Sequence, residues 1–347
     1  KSKKKLPFYS LDKKITGESH QIKISKVLSY LKKNNCDYLF VTAPENIAWL
    51  LNIRGYDNPT SPIPNSLLII SKNKKIFLIV EKYKTTRLIN EKKLNKKQII
   101  DPKNISNLLN ILNSGNILID ERTCSIFLEK ILDRRFNLIK KEDPIYFFKS
   151  IKNDTEINNM IKTHIIDGVA LTKFIYWLKN KTKLNITEVD AQNKLEKFRK
   201  MNSKYLFPSF QTIAGSGKNG AIVHYRAKKN NTKFLKKDEI FLCDSGGQYK
   251  FGTTDVTRTI CFKNQNKEIK NIFTNVLKGH IAVVQSDLNK KKTGKLIDVE
   301  ARRFLKKNGL DYNHGTGHGV GFFLNVHEGP QAISKQNSIK IQNGMVL

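Results

Sequence analysis

The sequence lacks several features that would place a chain in a common functional class. None of its apolar runs approaches the roughly 20 residues that a membrane span requires, so we expect no membrane association. Its four cysteines are far apart and form no CxxC pair: Cys36, Cys124, Cys243 and Cys261. This usage disfavours a disulfide scaffold and fits a reducing compartment, so we expect a cytoplasmic protein.

Acidic residues are scarce relative to basic ones. The chain has 63 Lys and Arg against 30 Asp and Glu, for a formal charge of +33. A nucleic-acid surface concentrates basic residues in a patch and interleaves them with aromatic residues, whereas here the lysines are spread along the chain. Lys, Asn and Ile are all abundant and share A/T-rich codons, so the base composition of the gene explains the excess. We therefore predict no specific nucleic-acid partner.

Three catalytic signatures are also missing. Ser245 is not in a G-x-S-x-G elbow, which disfavours a serine hydrolase. There is no HExxH motif, which disfavours a zincin, and Gly215-Ser-Gly217 is too short for a phosphate-binding loop.

The length of 347 residues and the 39% of hydrophobic residues predict two domains with sizeable cores. The first half has a mixed α/β pattern, and we place its end at the Glu-Asp-Pro turn signal near residues 143–150. The predicted domains are therefore residues 1–148 and 149–347. Within the first we expect a helix through Ile24, Val27, Leu28 and Leu31, strands at 38–41 and 117–119, a hairpin of 67–70 with 76–80, and a helix at 125–132.

The second half begins with a long predicted helix. Asn153 and Glu156 form a capping box in which Asn takes the usual place of Ser or Thr. A second helix is expected after Thr187, and from Phe207 onwards short apolar runs and glycines predict an antiparallel sheet. The apolar stripe predicted for the long helix comprises Ile157, Met160, Ile161, Ile165, Val169 and Ile175.

Two aspartates in this half carry the first chemical signal. An apolar strand runs from Ile240 directly into Asp244, and Asp255 follows in Gly252-Thr-Thr-Asp-Val-Thr-Arg-Thr259, where we place it on a strand. The glycines between them suit a hairpin that brings the carboxylates together. Two close carboxylates force one to take up a proton unless metal ions lie between them. The alternative is two separately hydrogen-bonded turn aspartates.

Histidines shift the balance towards a metal site. His314-Gly-Thr-Gly-His318-Gly-Val-Gly321 is a glycine-rich segment with two imidazoles, and His327 follows within Asn325-Val-His-Glu-Gly-Pro330. Glycine lets a backbone approach a ligand closely, and a neutral imidazole is a common metal ligand. His224 is the fourth candidate, whereas His20, His164 and His280 are interpreted as ordinary histidines.

Taken together, these segments resemble the aminopeptidase P branch of the pita-bread metallopeptidases. The resemblance is carried by Phe207–Tyr225, both aspartate segments, HGTGHGVG and NVHEGP, and it extends to Ser150–Leu178 and Asn46–Gly55. It implies a creatinase-like N-terminal domain (α/β) followed by a pita-bread catalytic domain (α+β). It also implies hydrolysis of the peptide bond between an N-terminal residue and a following proline, and a homodimer.

The resemblance further implies roles for six residues. Asp244, Asp255 and His318 would be metal ligands, with Asp255 bridging two divalent ions, for which Mn²⁺ is typical. His224, His314 and His327 would line the substrate pocket, orient the scissile carbonyl and stabilise charge on its oxygen. Two further glutamate ligands, one of them the general base, are expected beyond Leu347. We therefore expect a fragment of a longer gene product, which alone binds metal weakly and is inactive.

Two alternatives remain open from the sequence, and a third, creatinase, is disfavoured. A prolidase uses similar ligands but accepts only dipeptides, and the HGTGHGVGFFLNVHEGP form favours the aminopeptidase. Creatinase shares the fold but lacks this metal set. A metal-free pita-bread binding protein is the rival from another class, and it typically loses metal ligands that are present here.

Overall fold

The computed structural model describes residues 6–180 and 185–347. By its internal contacts the chain divides into two compact units. Unit 1 comprises the residues up to Lys149 together with Asn153–Glu156, and unit 2 comprises Ser150–Lys152 together with Ile157–Leu347. Among the described residues, no helix is long and apolar enough to cross a membrane.

Unit 1 is built around a six-stranded mixed sheet in the order β6-β5-β4-β2-β7-β8. Strands β2, β4 and β5 form an antiparallel meander, while β6, β7 and β8 each add in parallel to a neighbour. A short pair, β1 with β3, lies outside this sheet. The strands are β1 Tyr9–Ser10, β2 Tyr38–Val41, β3 Ile53–Arg54, β4 Leu67–Ser71, β5 Ile76–Ile79, β6 Ile99–Ile100, β7 Asn116–Ile119 and β8 Asn137–Lys140.

Helices cover this sheet and bury its apolar side chains. A core cluster of residues such as Phe40, Ile69, Ile117 and Leu132 joins β2, β4, β7 and α6. The helices are α1 Lys13–Thr16, α2 His20–Lys33, α3 Pro44–Leu50, α4 Thr86–Asn90, α5 Ile105–Ile111, α6 Ile126–Asp133 and α7 Pro144–Ser150. The predicted strands, hairpin and two helices of this half are confirmed to within two residues, except that α2 starts four residues before Ile24.

The turn expected near residues 143–150 is a helix instead. Asp143 accepts a hydrogen bond from the Ile145 backbone N–H (2.9 Å), as a helix N-cap does, and Pro144 takes the first helical position. The Glu-Asp-Pro signal therefore starts α7 rather than forming a linker.

Unit 2 contains most of the long helix α8 (Asp154–Lys179), followed by α9 (Glu188–Lys200). The predicted capping box is present, since Asn153 Oδ1 accepts from Glu156 N (3.0 Å) and Glu156 Oε2 accepts from Asn153 N (3.2 Å). The predicted apolar stripe is only partly correct, because Met160 is buried but Ile161, Ile165 and Val169 are exposed. The buried face of α8 instead comprises Met160, Thr163, Asp167, Ala170, Leu171, Phe174 and Leu178.

Two small sheets follow, and both are antiparallel. Their orders are β10-β11-β14 and β13-β12-β9. Apolar residues of α8, α9, β10 and β11, including Phe174, Leu195, Ala214 and Phe241, form the core beside the first sheet. The strands are β9 Tyr205–Pro208, β10 Ile213–Ser216, β11 Ile240–Ser245, β12 Gly247–Tyr249, β13 Gly252–Thr253 and β14 Val256–Cys261.

The expectation of an antiparallel sheet throughout the remainder is partly wrong. Two helices, α10 (Lys267–Val284) and α11 (Gly294–Lys306), precede the last two strands, β15 (Gly317–Gly319) and β16 (Glu328–Ile333). The helices lie very close, since a Cβ at Gly279 would be 2.2 Å from the Ala301 carbonyl oxygen. Glycine inside α10 is therefore a packing requirement rather than a sign of a turn.

Candidate metal centre

The antiparallel pairing of β11 with β14 brings the two candidate aspartates together. Asp244 lies one residue before the end of β11 and is paired with Thr257. Asp255 lies immediately before β14 rather than on a strand as expected, because the β12–β13 hairpin returns the chain at that point. The two carboxyl groups interact directly by hydrogen bond and by charge.

The environment of Asp244 disfavours its charged form. Burial raises the pKa of this carboxyl above its usual value, and the negative charge of Asp255 raises it further, while a hydrogen bond from Thr257 opposes both. Oδ1 of Asp244 is buried and has no hydrogen-bond partner among the described residues. A buried, unpaired carboxylate oxygen beside a second carboxylate fits a bound cation, which would satisfy the oxygen and relieve the repulsion.

His318 adds an imidazole from strand β15. Its Nε2 atom is 3.2 Å from Oδ2 of Asp255, and its Nδ1–H donates to the Gly319 carbonyl oxygen at 2.9 Å. That hydrogen bond leaves Nε2 as the atom facing the aspartates. Burial alone would lower the His318 pKa, but the bonds to Asp255 and Gly319 and the charges of both aspartates outweigh it, so the pKa is raised.

Gly319 is the position in β15 at which a side chain would clash. A Cβ at this position would be 2.3 Å from the Glu328 carbonyl oxygen and 2.4 Å from Nε2 of Gln331. Only glycine therefore allows β15 to approach β16, and that approach sets the position of the neighbouring His318.

His327 lies beside His318, with ring centroids 4.1 Å apart and ring planes at 73°. One ligand atom each from Asp255, His318 and His327 lie within 4.8 Å of one another, as in a group able to hold a metal ion. Burial lowers the pKa of His327, and the positive charges of His318 and His224 lower it further. The role predicted for His327, in substrate binding, stays a prediction, and this geometry also allows it to act as a ligand.

The remaining two histidines are placed differently. His224 is exposed, has a left-handed backbone (φ 58°) and lies close enough to His327 to affect its pKa. His314 is exposed and stacks on Tyr312 with ring centroids 4.8 Å apart. Its Nδ1–H donates to the Gly315 carbonyl oxygen (2.8 Å), so its described contacts are local rather than with the aspartates.

The sequence did not single out the charged pair behind Asp244. Arg199 forms two hydrogen bonds to Asp167, at 2.7 and 3.0 Å, and a third to Ser245 Oγ at 3.1 Å. Both charged side chains are fully buried, and Ser245 follows Asp244 directly. The only sequence signal was an aspartate within the mostly apolar segment Ile165–Leu171 of α8, with no partner visible in the sequence.

Fold and site together define a class: an α/β unit followed by an α+β unit with a carboxylate and imidazole centre suited to divalent cations. Residues 158–347 match metallopeptidase family M24, and residues 1–156 match the creatinase/prolidase N-terminal domain. The chain therefore belongs to metallopeptidase family M24, and the predicted resemblance and fold class are confirmed.

Individual relatives agree with this membership. The chain is 37% identical to a probable Xaa-Pro aminopeptidase P of Laccaria bicolor, over 98% of this chain and 54% of that protein. It is also 37% identical to Xaa-Pro aminopeptidase 1 of Dictyostelium discoideum, over 98% of this chain and 55% of that protein. The chain thus spans about half the length of these curated relatives.

Solved structures give the same fold. An X-prolyl aminopeptidase from Caenorhabditis elegans, described as a cytosolic enzyme with a di-nuclear active site, superposes with a TM-score of 0.87 at 30% identity, covering 98% of this chain and 57% of that one. A prolidase from Pyrococcus furiosus superposes with a TM-score of 0.72 at 26% identity, covering 92% and 89%.

Proposed function

We propose that the complete protein is an Xaa-Pro aminopeptidase, which hydrolyses the peptide bond between an N-terminal residue and a following proline. The observation that carries the proposal is the meeting of Asp244, Asp255 and His318, with a buried carboxylate oxygen that lacks a partner. The relatives named above support the choice of substrate, because at 37% identity two of them are named Xaa-Pro aminopeptidases.

In this proposal Asp244, Asp255 and His318 contribute ligands to two divalent cations, of which Mn²⁺ is the expected identity, since a carboxylate-rich set suits hard ions. When bound, such a pair lowers the pKa of a water molecule and stabilises negative charge on the substrate. Domain bounds of 1–148 and 149–347, a homodimer and a cytoplasmic location are proposed on the same basis, the last supported by the cytosolic neighbour.

The histidines act on the substrate side. His327 has a lowered pKa, so it is mostly neutral near pH 7 and can donate one hydrogen bond to the scissile carbonyl oxygen. His224 is exposed and its charge affects the pKa of His327, so it is proposed to contact the same peptide. His314 is proposed to contact the peptide as well, from its exposed position beside Tyr312.

The test is to purify the complete protein, load it with Mn²⁺ and measure metal stoichiometry and cleavage together. The substrates are a Gly-Pro-type tripeptide, the corresponding dipeptide and a tripeptide with alanine in place of proline. Metal binding with cleavage of the proline tripeptide alone supports the proposal. Cleavage restricted to the dipeptide would indicate a prolidase, and absence of both metal and cleavage would indicate a metal-free binding protein.

A further inference from the structure

Glu188, outside the metal centre in unit 2, is a fully buried carboxylate with four hydrogen bonds from side-chain and backbone donors. Glu188 Oε1 accepts from Ser216 N (2.8 Å) and Asn219 Nδ2 (2.9 Å), and Oε2 accepts from Tyr225 Oη (2.9 Å) and Lys233 N (3.1 Å). Burying a carboxylate is costly, so a buried one with every bond made is expected to serve a purpose. Capping of α9 is not that purpose, because Thr187 and Asp190 already form its capping box.

The partners of Glu188 all belong to one loop, residues 216–233, which we call the His224 loop. Ser216 and Lys233 are its two ends, and the Glu188 backbone N–H also donates to the Lys233 carbonyl oxygen (3.0 Å). Asn219 and Tyr225 are inside the loop and are joined to each other, since Asn219 Nδ2 donates to Tyr225 Oη at 2.8 Å. One side chain therefore closes the loop and fixes its interior.

In the sequence, His224 lies between Asn219 and Tyr225, the two residues inside the loop that bond to Glu188 and that we call its anchors. Its φ of 58° is in the left-handed region, which residues with a side chain adopt uncommonly and which the surrounding structure must stabilise. Turn hydrogen bonds run from Ile222 N to Asn219 O (3.2 Å) and from Tyr225 N to Ile222 O (3.1 Å), so both anchors act on the turn that contains His224. The imidazole itself is exposed, and its charge acts on His327 of the metal centre.

We propose that Glu188 is a positioning residue, which acts through Tyr225 and Asn219 to hold the His224 imidazole at the substrate side of the metal centre. What His224 does to a substrate rests on the function proposed above. The anchoring of the loop does not, because it depends only on hydrogen bonds within unit 2.

The first test is a double-mutant cycle in the complete, metal-loaded protein, made of Tyr225→Phe, His224→Ala and both together. We expect Tyr225→Phe to lower kcat/KM by about 10-fold and His224→Ala by about 10²-fold, in the range of losing one group that stabilises the transition state. The double variant should equal His224→Ala within about 2-fold, because Tyr225 acts through a side chain that is no longer there. Metal content should stay unchanged throughout.

Tyr205→Phe is the matched control. Tyr205 Oη also bonds a glutamate of α9, Glu196 Oε2, at 2.6 Å, but it lies on β9 outside the His224 loop. Tyr205→Phe should leave kcat/KM within about 2-fold of wild type. In the double variant with His224→Ala, the two fold-changes in kcat/KM should multiply, as expected for independent sites. If the fold-changes in kcat/KM for Tyr225→Phe and His224→Ala also multiplied in their double variant, the proposal would be overturned.

The second test, amide hydrogen exchange, does not depend on catalysis. Tyr225→Phe and Glu188→Gln should speed exchange within residues 216–233 by about 10-fold or more, whereas Tyr205→Phe should not. Unchanged exchange in the Tyr225→Phe variant would overturn the anchoring. A wild-type protein that cleaves no Xaa-Pro peptide would overturn the proposed function and the substrate part of this inference, and exchange alone would then decide whether Glu188 anchors the loop.

Discussion

The Nε2 atom of His318 lies 3.2 Å from Oδ2 of Asp255, although the two residues are 63 positions apart in the sequence. Two short antiparallel pairs create this contact, β11 with β14 for the aspartate and β15 with β16 for the histidine. The strand pairings are needed because the negative charges of Asp244 and Asp255 repel each other, so the fold must hold these two ligands close together.

The first prediction separates metal ligands from substrate histidines. Asp255→Ala in the complete protein should lose metal and activity together, because the carboxylate that contacts both Asp244 and His318 is gone. His314→Ala should keep its metal and lower turnover by about 10²–10³-fold, the usual loss when one stabilising group is removed. Metal stoichiometry by mass spectrometry, beside turnover on a Gly-Pro-type tripeptide, measures both.

His327 is the informative variant in this series, because its ring adjoins His318 and its ligand atom lies within the 4.8 Å group. If it acts on the substrate, as predicted, His327→Ala keeps the metal. Loss of metal from His327→Ala would reassign it as a ligand. Asp238→Ala, an exposed aspartate elsewhere in unit 2, should change neither quantity.

The second prediction concerns the backbone beneath His318. Gly319→Ala would place a Cβ 2.3 Å from the Glu328 carbonyl oxygen, so β15 must move away from β16 and take His318 with it. We expect metal affinity to fall by about 10–100-fold, as when a group that orients a ligand is lost. Gly317→Ala is the control in the same strand, since its Cβ would meet only Ile333 side-chain atoms, at 3.7 Å or more. Equal affinities for the two variants would contradict the explanation.

Local pattern was enough to predict several elements. The strand at 38–41 is apolar throughout and fully buried, and its four residues are those of β2. The capping box of α8 depends on Asn153 and Glu156, three positions apart, so it is visible in the sequence alone. Elements marked by an unbroken apolar run or by capping residues three positions apart are those that sequence patterns predict well.

The errors came from contacts between distant residues. The stripe along α8 was misplaced because Asp167 is on the buried face, where Arg199 of the next helix neutralises it, while three apolar residues face outwards. Short apolar runs and glycines after Phe207 favoured a sheet over the region that contains α10, whereas Gly279 of that helix is where α11 packs against it. Neither partner could be identified before the fold was known.

The need for contacts between distant residues also explains which functional residues the sequence could identify. Asp244, Asp255 and His318 stood out because carboxylates and imidazoles in glycine-rich segments are chemically distinctive. Glu188 did not, since an acidic residue in the first turn of a helix is expected to interact favourably with the helix dipole. Only the loop folded over Glu188 distinguishes it.

A third prediction tests the buried pair of Asp167 and Arg199. Removing one partner of a buried ion pair leaves the other charged and unpaired, so Asp167→Ala should lower the free energy of unfolding of unit 2 by about 3–5 kcal/mol. Replacing both, as Asp167→Leu with Arg199→Met, should cost less than the single change. The chain has two tryptophans, Trp49 in unit 1 and Trp177 in unit 2, so urea unfolding in a Trp49→Phe background follows unit 2.

Lys200→Ala provides the comparison for this pair. Lys200 forms an exposed ion pair with Glu196 at 3.3 Å on the same helix, and such a pair contributes only about 0–1 kcal/mol. If Asp167→Ala lowered the free energy of unfolding no more than Lys200→Ala does, burial would not increase the contribution of the Asp167–Arg199 pair to stability.

The last prediction concerns pH and unit 1, where Asp143 is fully enclosed. Burial raises the pKa of this carboxyl to about 6, and the negative charge of Asp120 adds to the effect, while hydrogen bonds from Asn46 and Ile145 oppose it. A folded-state pKa above the unfolded value of about 3.9 means that the folded chain binds the proton more tightly. The stabilisation is therefore complete below pH 4 and is lost as the pH rises to about 6. Two pKa units correspond to about 2–3 kcal/mol.

Asp143→Asn isolates this contribution, because an amide does not titrate in this range. The amide oxygen can still accept from Ile145 N. Its NH₂ can donate to Oδ1 of Asn46 once the Asn46 amide turns over, because Asn46 Nδ2 now donates to this carboxyl and Oδ1 is buried without a partner among the described residues. We expect wild type to lose stability relative to Asp143→Asn between pH 4 and pH 6, measured by urea unfolding in a Trp177→Phe background that follows Trp49. Asp133→Asn, at an exposed position of the same unit, should run parallel to wild type across this range. Parallel curves for Asp143→Asn as well would mean that Asp143 is ionised in the folded protein at pH 4, and that its burial is compensated by Asn46 and the N-terminus of α7.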